Sequence, residues 1–180
     1  PASHVVPQDT GVRPLPVVVV LHGNFDRPEW ECDVWGEVAS FYGFVLCPRG
    51  VRTPWAPRAE KRWTYGNAVR VEKEIAAGLG ALEARYPGKT KREGMVLAGL
   101  SLGAILAPKL VQRTPGKYTY VFLVEGGAGK LDKKGISALK RAGVLGVGLA
   151  MSAPGSRRLA TAALPALLEA EEDRPSVPEH

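Results

Sequence analysis

The stretch MVLAGLSLGA, residues 95–104, decides the fold of this chain. Its first four residues are apolar and are typical of a buried strand. After them, apolar residues recur at helical spacing, at Leu102, Ile105, Leu106 and Leu110. Between the two stands Ser101, bracketed by Gly99 and Gly103 in the pattern G-x-S-x-G. We therefore predict a strand, a sharp turn and a helix, with the Ser101 hydroxyl exposed at the carboxyl end of the strand.

Steric crowding explains why this pattern requires glycine at two positions. A side chain at Gly99 or Gly103 would collide where the backbones of the strand and the helix crowd together, so only glycine fits without cost. The helix also directs the N–H groups of its first turn at Ser101. Because such a terminus stabilises negative charge, the pattern favours a serine that reacts through an alkoxide or an oxyanion.

Length and composition indicate one globular domain. The chain has 180 residues, of which 45% are hydrophobic and 23% charged, and no apolar run reaches the length of a membrane span. The net charge is +6, and the dense basic group is Lys130, Lys133, Lys134, Lys140 and Arg141. We interpret this group as a solvated helix face and expect no nucleic-acid partner; an anionic polymer bound there is the alternative.

Strand and helix patterns alternate along the chain. Further strands are predicted at 17–21, 44–47, 118–124 and 144–151, and further helices at 27–42, 70–86, 133–142 and 156–172. Continuous apolar strands are typical of a sheet buried on both faces. The alternation predicts an α/β fold with a doubly wound, mostly parallel sheet and helices on both faces. We expect a leading arm over 1–16, with at most a short edge strand, and one compact domain over 17–180 without a large cap domain.

The first predicted helix carries a start signal. Asp26 supplies an acceptor, Pro28 stands in the first turn and Glu29 follows, which is a capping pattern. The helix then places four apolar side chains on one face: Trp30, Val34, Trp35 and Val38.

Residues 51–66 are predicted to form an irregular loop that is rich in proline and aromatic residues. Loops carry sites and aromatic side chains provide binding area, so Trp55, Trp63 and Tyr65 are candidate substrate-binding residues. A flap that only covers the core is the alternative.

Two cysteines, Cys32 and Cys47, are predicted in the first helix and at the end of the next strand. If that helix packs on that strand, a disulfide can form, and it would stabilise the fold by about 3 kcal/mol in the chain-entropy model. Two buried thiols are the alternative. Because a disulfide requires an oxidising compartment, the bridge would favour a location outside the cytoplasm.

Three features together resemble a known superfamily: Leu21-His22-Gly23 after the first buried strand, the serine pattern at 99–103 and the alternating strands. The combination is similar to the α/β-hydrolases, closest to small esterase-like members of the dienelactone hydrolase and carboxylesterase type, over residues 17 to about 170. The resemblance implies that the serine pattern is a nucleophile elbow, with Ser101 as nucleophile and with no metal or organic cofactor. Leu102, together with Asn24 or Phe25, would then line the oxyanion hole.

Such a serine needs a histidine as base and an acid that orients it. The chain order in this fold is serine, acid, histidine, and His180 is the only histidine after Ser101. His180 is also the last residue, so the alternatives are a terminus without a role, or a longer chain that carries the true base. His22 stands before the oxyanion loop and is interpreted as structural.

The acid usually follows the strand predicted at 144–151, yet residues 151–157 contain no carboxylate. Glu125, at the end of the preceding strand, is the substitute candidate. A solvated or salt-bridged loop carboxylate is the alternative, and Asp173 is a further candidate.

The sequence thus predicts a serine esterase that cleaves an ester or related acyl bond of a small molecule through an acyl-enzyme on Ser101. A hydrolase-fold protein that has lost turnover and serves as a binding or scaffold module is the alternative, and the missing acid favours it.

Overall fold

The computed structural model describes residues 2–7, 13–155, 157–158 and 161. The strands are β1 (Ala2–Val5), β2 (Leu15–Leu21), β3 (Phe44–Pro48), β4 (Val51–Arg52), β5 (Trp63–Thr64), β6 (Thr90–Leu100), β7 (Tyr118–Val124) and β8 (Gly146–Ala150). The helices are α1 (Pro28–Ala39), α2 (Ala68–Arg85), α3 (Leu102–Arg113) and α4 (Lys133–Arg141). Two short 3₁₀ turns, Arg58–Glu60 and Ala128–Lys130, lie between them.

The main sheet has six strands in the order β1-β3-β2-β6-β7-β8. Strands β3, β2, β6, β7 and β8 run parallel, while β1 pairs antiparallel with β3 at one edge. The β-branched run 17–21 is buried along its whole length, as expected of a central strand with both faces covered. The predicted α/β class, with its doubly wound and mostly parallel sheet, is confirmed.

Helices cover both faces of this sheet. Helix α1 packs on one face, over a core that includes Val18, Val20 and Val45. Helices α2, α3 and α4 pack on the other face, over a larger core. The buried residues of α2 form the predicted apolar stripe at helical spacing: Val71, Ile75, Leu79 and Leu82.

The start of α1 differs from the prediction. The N-cap is Arg27, which has no side-chain cap, so Asp26 does not cap the helix. The carboxylate of Asp26 instead accepts hydrogen bonds from the N–H of Gly23 at 3.3 Å and from the N–H of Arg27 at 2.8 Å. Asp26 therefore folds the loop that precedes α1.

The apolar face that the sequence assigned to α1 is mostly turned outward. Val34 and Val38 are more than half exposed. The buried positions include the small residues Cys32, Gly36 and Ala39. They bring α1 close to the sheet, since the room around Gly36 is so limited that a Cβ there would lie 3.0 Å from the side chain of Val5.

A disulfide between Cys32 of α1 and Cys47 of β3 fixes α1 to the sheet. Both cysteines are buried. Of the two alternatives that the sequence left open, the structure has the bridge.

The loop 51–66 is more regular than predicted. Strands β4 and β5 pair antiparallel across it, with Val51 opposite Thr64 and Arg52 opposite Trp63. Trp63 also forms an isolated bridge with Asp26. Two residues per strand are too short to produce an alternating pattern, so the pairing left no signal in the sequence.

The structure adds to the prediction at two strands and does not test it at the last predicted helix. Residues 2–5 form β1 of the main sheet, and β6 begins at Thr90 with a polar segment that the apolar run did not reveal. The helix predicted at 156–172 lies largely outside the described residues, so the domain limits stay a prediction. Among the described helices, none has the length and apolarity to cross a membrane.

Candidate active site

Ser101 stands alone between a strand and a helix. Strand β6 ends at Leu100, α3 begins at Leu102, and the backbone of Ser101 has φ 50° and ψ −109°. The residue is exposed. Its N–H donates to the carbonyl oxygen of Val124 at 2.8 Å, and its own carbonyl oxygen accepts from the N–H of Ile105 at 3.0 Å. These bonds hold a serine in a backbone conformation that non-glycine residues rarely adopt.

The backbones around Ser101 leave no room for side chains at the neighbouring glycines. A Cβ at Gly99 would lie 2.6 Å from the amide nitrogen of Ala104, and one at Gly103 would overlap the carbonyl oxygen of Leu21. A Cβ at Gly126 would lie 2.6 Å from the carbonyl oxygen of Ser101. The predicted crowding at the serine pattern is therefore present, and Gly126, which the pattern does not include, adds to it.

The loop after β2 abuts Ser101. A Cβ at Gly23 would lie 3.6 Å from the Cβ of Ser101. Two residues on, Phe25 has φ 59°, a second non-glycine residue in the left-handed region. The Asn24 side chain is held by a hydrogen bond from the Thr64 hydroxyl at 2.6 Å. The oxyanion candidates Asn24 and Phe25 thus lie in a fixed loop beside Ser101, and Leu102 follows it directly.

Backbone hydrogen bonds attach this loop to β5. The N–H of Asp26 donates to the carbonyl oxygen of Trp63 at 3.1 Å, and the N–H of Trp63 donates back at 2.8 Å. Trp63, one of the predicted substrate-binding residues, therefore borders the loop. Trp55, another of these candidates, is 68% exposed.

Tyr65 does not belong to an open binding surface. It is buried, and its ring stacks on His22 with the centroids 4.3 Å apart. Its hydroxyl donates to the carbonyl oxygen of Pro48 at 2.8 Å and accepts from the N–H of His22 at 3.2 Å. Burial raises the pKa of Tyr65 well above its usual value of 10.0. The aromatic composition of the loop suggested a substrate contact, but the Tyr65 side chain connects the carboxyl ends of β2 and β3 through His22 and Pro48.

His22 is structural, as interpreted from the sequence. Its side chain is fully buried. Nδ1 lies 2.7 Å from the carbonyl oxygen of Gly23, and Nε2 lies 2.8 Å from the carbonyl oxygen of Arg49. Both ring nitrogens thus face backbone carbonyl oxygens of neighbouring loops, an arrangement typical of a structural histidine. The other described histidine, His4, belongs to the edge strand β1.

Glu125 lies at the end of β7, next to the residue that bonds the Ser101 amide. Its φ is 52°, and its carboxylate accepts hydrogen bonds from the N–H and the hydroxyl of Ser152 and, at 3.3 Å, from the N–H of Ala153. The carboxylate therefore reaches the loop after β8, in which the sequence has no acid of its own. The candidates His180 and Asp173 lie outside the described residues.

Another carboxyl group near the loop is perturbed. Burial and then the nearby charge of Asp26 raise the pKa of Glu31 from 4.5 to about 7, against a hydrogen bond from Trp35 that lowers it. Glu31 is buried in α1. Sequence reasoning missed this residue because a single acidic residue in a helix carries no local signal of burial.

Arginine side chains near the loop were also missed. Arg49 lies over the ring of Trp63 at 4.2 Å, and Arg62 lies between Phe25 and Trp30 at 5.3 and 4.8 Å from their ring centroids. The pairings join residues far apart in the chain, so no local pattern signals them. The part of the chain that the structure describes has no group of three or more His, Cys, Asp or Glu residues placed to hold a metal ion.

The fold is similar to that of solved esterases. A carboxylesterase from Bacillus cereus is 18% identical, with a TM-score of 0.54 and 92% of each chain covered. Esterase PE8 is 15% identical, with a TM-score of 0.58 over 92% of this chain and 98% of that one. A phospholipase/carboxylesterase from Dyadobacter fermentans is 15% identical, with a TM-score of 0.56 over 96% and 94%.

No protein-family model matches the sequence, and no curated protein matches it. The likeness of structure shows that this chain has the α/β-hydrolase fold, as the resemblance in the sequence implied.

Proposed function

We propose that this protein is a serine hydrolase that cleaves an ester or related acyl bond of a small molecule through an acyl-enzyme on Ser101. The observation that carries the proposal is the backbone of Ser101, where a φ of 50° holds an exposed serine between β6 and α3. Strain of this kind costs about 1–3 kcal/mol and clusters at functional sites. The likeness to esterases supports the same class of reaction.

In the proposed reaction, Ser101 Oγ attacks the carbonyl carbon of the ester and its proton passes to a histidine, for which His180 is the candidate. The oxyanion accepts hydrogen bonds from the backbone N–H of Leu102 and from that of Asn24 or Phe25. The histidine returns the proton to the leaving alcohol. Water, deprotonated by the same histidine, then attacks the acyl carbon, and the histidine returns this proton to Ser101 Oγ as the acid is released.

Glu125 is the proposed acid. Two observations support it: the carboxylate lies one residue from Val124, which bonds the Ser101 amide, and it extends to Ser152 in the loop after β8. In that place a carboxylate would orient the histidine and stabilise the imidazolium that forms during attack. Trp55 and Trp63 are proposed to border the acyl or alcohol pocket, and no metal or organic cofactor is required.

A binding or scaffold protein that has lost turnover is the second candidate. The same Glu125 carboxylate supports it, because donors from Ser152 and Ala153 already occupy its oxygens. An acid committed to the loop after β8 has less capacity to orient a histidine.

Two further proposals concern the surroundings of the protein. The Cys32–Cys47 disulfide persists only where thiols are oxidised, which supports a location outside the cytoplasm. On α4, the buried residues are Ile136 and Leu139, and the lysines lie on the exposed side. This supports the interpretation of the basic group as a solvated helix face.

The test is covalent labelling with a fluorophosphonate, followed by mass spectrometry of the intact protein and of its peptides. We expect one adduct, on Ser101, and none in Ser101→Ala. Ser137→Ala is the matched control, since Ser137 is an exposed serine on α4 and should leave labelling unchanged. An unlabelled wild-type protein would contradict the hydrolase and favour the binding module.

A further inference from the structure

A guanidinium without a carboxylate partner lies beside the candidate site. The Arg49 guanidinium lies 4.2 Å over the ring of Trp63, and its Nε is buried without a hydrogen-bond partner. Within the described residues, no ion pair joins Arg49 to a carboxylate. Arg62 differs, because it pairs with Glu60 at 3.5 Å. The Nε of Arg27 is also buried without a partner, but its Nη2 donates to the carbonyl oxygen of Glu60 at 2.8 Å.

Backbone contacts connect Arg49 to Ser101. The carbonyl oxygen of Arg49 lies 2.8 Å from His22 Nε2, and the next residue, Gly23, abuts Ser101. Trp63, which supports the guanidinium, is bonded to Asp26 of the same loop. Because β3 is the second strand from β6, the backbone of Arg49 lies about 10 Å from Ser101. The guanidinium is therefore within reach of the distal end of a substrate bound to Ser101.

The position of Arg49 over Trp63 suits a carboxylate ligand. The contact with the Trp63 ring limits the motion of the guanidinium, whose N–H donors all lie in its own plane. A carboxylate in that plane accepts two parallel hydrogen bonds, which are stronger than bonds between neutral groups. Among the described residues, no carboxylate lies within ion-pair distance of this guanidinium, so a ligand carboxylate can take that place.

We propose that Arg49, held on Trp63, is a specificity-determining residue that binds a carboxylate carried by the ester substrate. The proposal rests on the proposed hydrolase function and narrows its substrate class to esters with a second, anionic end. The scissile carbonyl would lie at Ser101 and the carboxylate at Arg49, separated by a short aliphatic chain.

The test compares mono-4-nitrophenyl glutarate with the neutral 4-nitrophenyl pentanoate. We expect kcat/KM to favour the anionic ester in the wild type. In Arg49→Gln this preference should fall by about 10–100-fold, mainly through KM, because the lost bonds are those of a charged pair. The rate with the neutral ester should stay within about twofold, since that ester makes no contact of this kind. Arg52→Gln is the control for general charge, because Arg52 is exposed on the adjacent β4.

An unchanged preference in Arg49→Gln, with the neutral ester still cleaved, would overturn the role of Arg49 and leave the hydrolase standing. If neither ester is cleaved and Ser101 is not labelled, the proposed function fails. Arg49 is then judged by calorimetric binding of monoethyl glutarate to Ser101→Ala. Binding that Arg49→Gln removes supports the carboxylate site, and binding that it leaves unchanged, or no binding at all, overturns it.

Discussion

Opening the Cys32–Cys47 disulfide should cost about 3 kcal/mol of folding free energy. The bridge closes a loop with a sequence separation of 15. In the chain-entropy model, a loop of about 15 residues restricts the unfolded chain by about 3 kcal/mol at 25 °C. With a urea m-value of about 2 kcal/mol/M, the midpoint of urea unfolding should fall by about 1.5 M when the wild-type protein is unfolded in the presence of a reductant.

The reduced and oxidised wild-type proteins keep the same side chains, so their difference isolates the cross-link from packing. Cys32→Ala/Cys47→Ala is the control: its midpoint should not respond to reductant. Its midpoint should lie below that of the reduced wild type, because both cysteines are buried and the substitution removes their packing. A reduced wild type whose midpoint falls by less than about 0.3 M would refute the entropic argument for this bridge.

Three further predictions follow from the site. Gly103→Ala should lower the free energy of unfolding by about 2–4 kcal/mol, because the Cβ of the new alanine would overlap the carbonyl oxygen of Leu21. Gly80→Ala in α2 is the control and should be neutral or stabilising, since no atom lies within 4 Å of the added Cβ. Equal urea midpoints for the two variants would contradict this prediction. The pKa of Glu31 rises from 4.5 to about 7 on folding, so the folded protein is most stable with this carboxyl group protonated. This contribution to the free energy of unfolding is complete below pH 4.5 and is lost as the pH rises through about 7. The loss is at most about 3 kcal/mol, and solvent screening reduces it. Urea midpoints of Glu31→Gln should therefore show a flatter pH dependence than those of the wild type between about pH 5 and pH 8. Glu125→Gln should slow ester cleavage by about 100-fold or more with the fold intact by circular dichroism, and a rate equal to that of the wild type would clear Glu125 of the acid role.

Local sequence patterns were sufficient to predict the parallel sheet and the turn that carries Ser101. The run at 17–21 and the sharp change from strand to helix at Ser101 are short-range features, decided by β-branched residues and by backbone crowding at Gly99 and Gly103. These features predict a parallel sheet and place Ser101 at the carboxyl ends of its strands. The disulfide could be anticipated as soon as α1 was expected to pack on β3.

Long-range contacts decide which face of α1 is buried and what Tyr65 contacts, and local patterns could not predict either. Helix α1 packs through Cys32, Gly36 and Ala39, so its apolar face was a misleading guide to burial. Tyr65 looked like a binding residue by composition, yet its hydroxyl is used inside the protein by His22 and Pro48. Such pairings depend on which strands become neighbours, and that information is spread over the whole chain.

Strand β1 has a consequence for how separate molecules behave. It covers the outer edge of β3, whose five residues are all buried, and its Val5 packs against Gly36 of α1. Without residues 2–5, the N–H and C=O groups on that side of β3 would be open along an apolar strand. An open edge of this kind pairs readily with the same edge of another molecule. Residues 2–5 thus replace an open apolar edge of five residues with a short edge strand of four, which offers a neighbouring copy less to pair with.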